Sequence, residues 1–217
     1  MTESAVARSH MIDCQLRPNE VNDERIIAAI ENVARELFVP KAKRSIAYVD
    51  EDLEIGEGRF LMEPMVFGRL VTAADIQEKD VVLDVGCATG YSSAVLAGLA
   101  EAVVALEENE TLAAAAEKKL SEQDVMNVAV VKGKLRDGVA KQGPFDVIII
   151  EGAVEEIPAA LVNQLRDGGR LVCVKLEGGV GRAHIVEKED GVASGRTLFD
   201  ANVQPLPGFE ADKGFVF

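Results

Sequence analysis

The central part of the chain alternates short apolar runs with amphipathic segments. The run Val81–Val85 has the composition of a buried strand, and Tyr91–Leu99, which follows a turn of small residues, is typical of a helix. A second pair follows, with a strand at Ala102–Leu106 and a helix at Leu112–Ser121. This alternation predicts a doubly wound α/β fold whose mainly parallel sheet is covered by helices on both faces.

Later elements are predicted from β-branched runs and from the glycine and proline residues between them. They are strands at Val128–Val131, Phe145–Ile150, Arg170–Val174, Ala183–Lys188 and Gly195–Asp200, and a helix at Ala159–Leu165. The last two strands have the weaker patterns and are candidates for antiparallel pairing. The tail, Gln204–Phe217, has aromatic residues without a period, and we expect an ordered or partly ordered edge there.

The first 78 residues have a different pattern. Residues 1–18 are polar with one short apolar-periodic piece, whereas apolar residues at helical spacing predict a helix from Glu24 to about Glu36. The remaining predictions are a loop at Lys41–Asp52, an irregular segment at Leu53–Met65 and a helix at Val66–Ala74. We therefore expect an N-terminal helical cap region, residues 1–78, that packs on a Rossmann-like core with a C-terminal tail, residues 79–217.

The stretch Val81–Tyr91, VVLDVGCATGY, is the leading candidate for a ligand site. A buried strand, a turn of small residues and a helix N-terminus together form a nucleotide-binding corner. Gly86 allows a sharp turn, and Gly90 allows the helix to pack close to the strand. The next strand ends in Glu107, 21 positions after Gly86, where dinucleotide folds place an acid that accepts hydrogen bonds from ribose hydroxyls.

Composition narrows the classes of partner. The chain of 217 residues is 48% hydrophobic and has a formal net charge of −14, which argues against nucleic acid and against anionic membrane surfaces. Its three cysteines are scattered without a C-x-x-C pair, as expected for reduced thiols in the cytoplasm. His10 and His184 are isolated, so we expect no metal site. We see neither a signal peptide nor an apolar run of the ~18 residues that a membrane span needs.

Several blocks, in the same order, resemble the protein-L-isoaspartate O-methyltransferase family. They are MIDCQL (Met11–Leu16), RELFVP (Arg35–Pro40), AYVDEDLEIGEG (Ala47–Gly58), LDVGCATGYSSAVLA (Leu83–Ala97), PFDVIII (Pro144–Ile150) and QLRDGGRLV (Gln164–Val172). The resemblance implies a Rossmann-like methyltransferase that uses S-adenosylmethionine and releases S-adenosylhomocysteine. It also implies methylation of the free carboxylate of isoaspartyl residues in damaged proteins, with a protein or peptide as substrate.

The resemblance also implies a set of cofactor residues. We expect these to be Asp84, Gly86, Cys87, Gly90, Glu107, Lys134 and Leu135. Glu107 would hold the ribose hydroxyls, and the backbone near Gly86 and Cys87 would hold the methionine end. Lys134 stands where the family has an aspartate that approaches the adenine.

The acceptor side departs from the family more strongly. After Gly58 the family usually has Gln-Thr-Ile-Ser-Gln-Pro, whereas this chain has RFLMEP, so that Met62 replaces the active-site hydroxyl. A thioether cannot donate a hydrogen bond to an incoming carboxylate. No catalytic residue is therefore assigned, and Arg59 and Glu63 are candidate cleft residues. Arg59 and Lys134 are candidate carboxylate clamps, whereas Glu63 and Glu151 would repel an anionic acceptor.

Three functions remain open at this point. The first is the isoaspartyl methyltransferase, and the second is a methyltransferase with the same cofactor and another acceptor, such as a small molecule. The third is a cofactor-binding module without turnover that acts through a protein partner. A nicotinamide dehydrogenase also fits the strand–turn–helix corner, but we see no catalytic Tyr-Lys or His pair for it. The sequence specifies neither the acceptor nor the oligomeric state.

Overall fold

The computed structural model describes residues 2–211. Its helices are α1 (Glu3–Met11), α2 (Glu24–Asn32), α3 (Pro64–Ala74), α4 (Tyr91–Ala97), α5 (Glu110–Glu122) and α6 (Ala159–Asn163). Its strands are β1 (Leu53–Gly56), β2 (Arg59–Leu61), β3 (Val81–Val85), β4 (Ala102–Glu107), β5 (Val128–Lys132), β6 (Phe145–Val154), β7 (Leu165–Glu177), β8 (Val180–Glu189) and β9 (Val192–Asp200). Strands β1 and β2 form a separate antiparallel hairpin.

The other seven strands form one sheet in the order β5-β4-β3-β6-β7-β8-β9. The first five are parallel, and β8 and β9 are antiparallel to their neighbours. This confirms the predicted doubly wound, mainly parallel sheet. The strand order reverses at β3, which pairs with β4 on one side and β6 on the other. In open α/β sheets, ligands bind outside the carboxyl ends of the strands at such a reversal.

The strands around this point are buried on both faces, which explains why their sequences are almost continuously apolar. Along β3, Val82 belongs to one hydrophobic cluster with α2, α3, α4 and α5, whereas Leu83 and Val85 belong to a second cluster with α6. The first cluster also contains Met11 and Ile27. The N-terminal region and the sheet therefore share one core, and the boundary at residues 78/79 stays a prediction.

The N-terminal region is more regular than the polar pattern of residues 1–18 predicts. Helix α1 is followed by a π-helical turn at Ile12–Leu16, because Met11, Ile12 and Leu16 all point into the core. Helix α2 ends at Asn32 rather than near Glu36, because Val33 is extended with φ −100° and ψ 120°. Residues 41–46, expected to be loop, form a 3-10 helix.

Two glycine-containing segments also differ from expectation. The segment Leu53–Met65 was expected to be irregular, but it contains the β1–β2 hairpin, whose turn has left-handed residues at Glu57 and Gly58. Strand β7 begins at Leu165 rather than Arg170, because the glycines after Asp167 are accommodated within the strand as an irregularity in its pairing with β6. The tail is described as far as Ala211, and the rest of that prediction lies outside the described residues.

Across residues 2–211, no helix has both the length and the apolar character that crossing a bilayer would require. The same residues contain no cluster of three or more His, Cys, Asp or Glu side chains that could hold a metal ion.

Candidate cofactor and acceptor site

The turn after β3 lies at the reversal of strand order. Gly86 has φ +84°, and its N–H donates to the Leu106 carbonyl at 2.8 Å. The Cys87 N–H donates to the same carbonyl at 3.2 Å. These bonds hold the turn against the end of β4, so that Glu107 lies beside the turn, as the spacing of the two strands predicts.

Glu107 is fully buried at the carboxyl end of β4. Its Oε1 atom accepts hydrogen bonds from the N–H groups of Glu108 at 2.9 Å and Asn109 at 3.0 Å. Its Oε2 atom accepts one from the Ala88 N–H at 2.9 Å. Backbone donors on both sides thus fix the carboxylate in one orientation.

The remaining contacts of Glu107 are made by Arg59. The Nη1 atom of Arg59 lies 2.8 Å from Oε1 and 2.9 Å from Oε2 of Glu107. Its Nη2 atom donates to the Gly86 carbonyl at 2.7 Å. The side chain of Arg59 is only 5% exposed, so this is a buried ion pair. The guanidinium proposed as a carboxylate clamp is therefore engaged inside the protein.

Arg59 and Leu206 fill the space directly over the turn. A Cβ atom at Gly86 would lie 2.8 Å from Arg59 Nη2 and 3.2 Å from a methyl carbon of Leu206. The cavity that remains beside them has a volume of about 10 Å³ and is also lined by Asp52, Met62 and Glu151. That volume is about enough for one water molecule.

Asp84 adds a second buried carboxylate beneath the turn. Its Oδ2 atom accepts hydrogen bonds from the hydroxyls of Ser92 at 2.7 Å and Ser93 at 2.5 Å. Its Oδ1 atom is buried and has no hydrogen-bond partner among residues 2–211. Burial raises the pKa of Asp84 to about 6, although the two serine hydroxyls oppose this shift. Oδ1 is therefore available to a donor that enters the site.

Carboxyl groups also surround the position where the family has its hydroxyl. Met62 is buried, and Asp52 accepts hydrogen bonds from the N–H groups of Glu63 at 2.8 Å and Gln204 at 2.6 Å. Burial, reinforced by Asp84, raises the pKa of Glu151 well above its usual value. The candidate acceptor side is thus acidic and has no hydroxyl at position 62.

Among the carboxyl groups near Met62, Glu63 has a raised pKa that affects the pH dependence of stability. Burial raises its pKa to about 7, and the charges of Asp52, Asp50 and Glu51 act in the same direction. A folded-state pKa above the unfolded value means that the folded protein binds more protons between these two values. The contribution of Glu63 to stability is therefore present below about pH 4.5 and is lost as the pH rises through about 7.

We accordingly expect Glu63→Gln to be more stable than the wild-type protein at pH 8 and similar to it near pH 4. Urea unfolding of both proteins at several pH values measures this difference. Glu117→Gln, on the exposed side of α5, is the control and should leave the pH dependence unchanged. A difference that is constant from pH 4 to pH 8 would show that burial does not perturb Glu63.

The other predicted cofactor residues lie around the same strand ends. Cys87 is buried, and burial raises the pKa of its thiol well above the usual value. Leu135 is buried, whereas Lys134 is exposed at the start of a 3-10 turn. Gly90 has φ +91°, and a Cβ there would lie 3.3 Å from side-chain atoms of α5. The small size of Gly90 thus serves the packing of α5 against the turn.

Three contributors to the site were missed from sequence. They are Asp52, which joins the hairpin to the C-terminal segment, the Ser92–Ser93 pair on Asp84, and Arg35. Arg35 is fully buried and donates to the carbonyls of Ala47 and Met62, both at 2.7 Å. The serines could have been found because they follow the glycine turn within one helical turn. The other contacts connect distant parts of the chain and have no local signal.

A larger cavity lies away from this site. Its volume is about 510 Å³, and its lining includes Arg25, Asn32, Gly98, Gln123 and Asn127. Gly98 and Asn127 precede β4 and β5, so this cavity lies at the amino ends of the strands. Ligands in open α/β sheets bind at the opposite edge, and we assign no function to this cavity.

Comparison with known proteins agrees with the resemblance inferred from the sequence. A protein-L-isoaspartate O-methyltransferase of Koribacter versatilis is 37% identical over 208 residues, which are 96% of this chain and 94% of that protein. The protein of the same name in Methanoculleus marisnigri is 38% identical over 165 residues, which are 76% of this chain and 75% of that protein. These similarities confirm three predictions: the family, the methyltransferase activity and S-adenosylmethionine as the cofactor.

Solved structures support the fold. A protein-L-isoaspartate O-methyltransferase has a TM-score of 0.80 at 23% identity and covers 93% of this chain and 66% of its own. A putative Plasmodium falciparum enzyme of the same kind, in complex with S-adenosyl-L-homocysteine, has a TM-score of 0.78 at 18% identity, with coverages of 95% and 99%.

A family model described as protein-L-isoaspartate(D-aspartate) O-methyltransferase matches residues 7–206. This match begins within α1 and spans the rest of the N-terminal region, the whole sheet and the segment as far as Leu206. Together with a relative matched over almost its entire length, it shows that this chain belongs to the protein-L-isoaspartate(D-aspartate) O-methyltransferase family.

Proposed function

We propose that this chain is an S-adenosylmethionine-dependent O-methyltransferase that methylates the free carboxylate of isoaspartyl residues in proteins and peptides. The observation that carries this proposal is the 37% identity to a protein-L-isoaspartate O-methyltransferase over 94% of that protein's length. Such methylation serves the repair of damaged proteins, and we place the activity in the cytoplasm. The three free cysteines are consistent with that compartment.

The residues that frame the cofactor site are proposed to be Asp84, Gly86, Cys87, Gly90, Glu107, Lys134 and Leu135. Glu107 lies where a ribose-binding acid is needed, and Asp84 Oδ1 has an acceptor site for an ammonium group. In this conformation, however, the site does not fit the cofactor, because the Arg59 side chain is bonded to both Glu107 and the Gly86 carbonyl. Sites for molecules of this size have volumes of about 300–1,000 Å³. S-adenosylmethionine, when bound, supplies a methyl group activated by its sulfonium.

Methyl transfer to a carboxylate requires few catalytic groups from the protein. A carboxylate acceptor is already ionised at neutral pH, so the enzyme needs no general base and acts chiefly by orienting the reactants. Met62 cannot help to hold that carboxylate by a hydrogen bond. Asp52 accepts two backbone hydrogen bonds beside Met62. Burial raises the pKa of Glu63 to about 7 and that of Glu151 well above its usual value, so these two glutamates contribute little negative charge near neutral pH.

Met62, at the position of the family's hydroxyl, favours a second candidate, a methyltransferase with the same cofactor and a different small-molecule or protein acceptor. The position of Arg59 favours a third candidate, a cofactor-binding module without turnover. The net charge of −14 makes nucleic acid and anionic membranes improbable partners for any of the three.

The decisive assay is transfer of labelled methyl from S-adenosylmethionine to an isoaspartyl peptide, with the matching aspartyl peptide as control. We expect transfer to the isoaspartyl peptide alone. We also expect Met62→Ser to raise the rate by roughly 10- to 100-fold, because one hydrogen bond to a charged group contributes ~1.5–3 kcal/mol. Met126→Ser, at a side chain that is 88% exposed, should leave the rate unchanged.

Two other results would favour the alternatives. Methylation of other molecules, with no isoaspartyl transfer by the wild-type protein or Met62→Ser, would support the second candidate. Binding of S-adenosylmethionine without transfer to any component of a cell lysate would support the third.

A further inference from the structure

We infer that Arg59 is an internal competitor of the cofactor: its guanidinium occupies the S-adenosylmethionine site, and the cofactor binds only when Arg59 leaves. This inference rests on the proposed function, because it assigns a regulation to the same site. It concerns binding at Glu107 and Gly86, not the identity of the methyl acceptor.

The first support is that Arg59 uses the contacts on which the cofactor depends. Both oxygens of Glu107 lie within 2.9 Å of Arg59 Nη1, where ribose hydroxyls would otherwise donate. The Gly86 carbonyl accepts from Nη2 at 2.7 Å. The other bonds to Glu107 come from three backbone N–H groups, which a ligand does not replace. A ribose and the Arg59 guanidinium therefore cannot bind Glu107 together.

The second support is steric. Glycine at position 86 leaves the backbone open to a ligand, but the opening is taken up by the side chain of Arg59, 2.8 Å from the Cβ position. Leu206, from the C-terminal segment, closes the other side at 3.2 Å. A cavity of about 10 Å³ remains, so cofactor entry requires at least the Arg59 side chain to move.

The third support is charge. S-adenosylmethionine carries a positive sulfonium and a positive ammonium group, and the site presents the buried carboxyls of Asp84 and Glu107, with Glu151 nearby. Arg59 provides the one positive charge in contact with Glu107 among the described residues. A buried carboxylate without a cation is strongly destabilised, so Arg59 stabilises the site when the cofactor is absent. When S-adenosylmethionine is present, its positive groups and the guanidinium of Arg59 repel each other.

The position of Arg59 also allows it to leave. It is the first residue of β2, directly after the left-handed pair Glu57 and Gly58. The β1–β2 hairpin is a two-stranded sheet separate from the central one. At its tip, the Glu57 carboxylate accepts a hydrogen bond of 3.2 Å from the side-chain amide of Asn109. Withdrawal of Arg59 therefore leaves every hydrogen bond of the seven-stranded sheet in place.

The experiment is calorimetric titration of the full chain with S-adenosylhomocysteine, together with the rise in melting temperature that this probe causes. The variants are Arg59→Gln, which installs the residue usual in the family, and Arg59→Lys. Lysine keeps a cation near Glu107 if the glutamine variant folds poorly, but it lacks the planar fork that binds Glu107 and Gly86 together. Arg196→Gln is the control, because Arg196 is an exposed arginine of β9 paired with Glu187.

We expect Arg59→Gln to bind S-adenosylhomocysteine roughly 100-fold more tightly than the wild-type protein. An apparent dissociation constant scales inversely with the fraction of molecules whose site is open, and this factor corresponds to Arg59 being withdrawn in about 1% of wild-type molecules. The affinity of Arg59→Lys should lie between those of the wild-type protein and Arg59→Gln, and the affinity of Arg196→Gln should match that of the wild type. Equal, tight binding by wild type and Arg59→Gln would overturn the inference while leaving the proposed function intact. Absence of binding by every variant would overturn the inference and the cofactor-dependent function together. Tight binding by Arg59→Gln with no isoaspartyl methylation would support the inference and count against only the acceptor.

Discussion

Glu107→Gln is expected to lower the free energy of unfolding by about 3–5 kcal/mol, because it breaks one side of a buried ion pair. Glu107 is fully buried and Arg59 is 5% exposed, so neither charge can be solvated when the other is removed. Glutamine keeps one oxygen for the backbone donors, but its amide NH₂ group faces the guanidinium of Arg59. Urea denaturation at pH 7 in the absence of cofactor measures the loss.

Two comparisons separate the buried charge from a general effect of the substitution. Glu110→Gln removes an acid whose side chain is 82% exposed and paired with Lys132, and should leave the free energy of unfolding nearly unchanged. The double variant Arg59→Met with Glu107→Gln removes both buried charges, and should be more stable than the sum of the two single effects predicts. A change below about 1 kcal/mol for Glu107→Gln would mean that the ion pair is absent in solution.

The predictable part of the fold is the part with the strongest burial. Strand β3 is observed at its predicted bounds and β4 extends only one residue further, because their residues face the core on both sides. The edge strand β5 also extends one residue further, although it is only partly buried. The helical start of the chain was not predicted, because Met11, Ile12 and Leu16 are separated by polar residues that lie on its outer surface. Tertiary packing, which the local pattern does not contain, selects the helix there.

The sequence predicted which residues frame the cofactor site, but not that Arg59 occupies it. The spacing between Gly86 and Glu107 correctly brings the acid next to the turn, since parallel strands end at the same edge. Arg59 was identified as a cleft residue, and its departure from the family's glutamine was visible. Its engagement with Glu107 spans 48 positions and depends on the hairpin that places it. No property of residues 53–65 alone specifies that partner.

Arg35 also shows how a buried cation can organise the site without an acidic partner. Its side chain is fully buried, and it donates to the carbonyls of Ala47 and Met62 while its guanidinium lies 4.8 Å from the centre of the Tyr91 ring. The carbonyl of Met62 belongs to the candidate acceptor side, and Tyr91 begins α4 directly after the cofactor turn. Arg35 therefore connects the N-terminal region to both halves of the site.

Arg35→Ala is expected to lower the free energy of unfolding by about 3–5 kcal/mol, because it leaves two buried carbonyls unpaired and creates a cavity beside Tyr91. Arg35→Lys should have a smaller effect, since one ammonium group retains the charge but cannot reach both carbonyls in the same geometry. Arg44→Ala, an exposed arginine of the same region, should change stability by at most about 0.5 kcal/mol. Urea denaturation of the four proteins measures these differences. If Arg35→Ala were as stable as Arg44→Ala, the hydrogen bonds of Arg35 to the carbonyls of Ala47 and Met62 would contribute nothing to the stability of the protein.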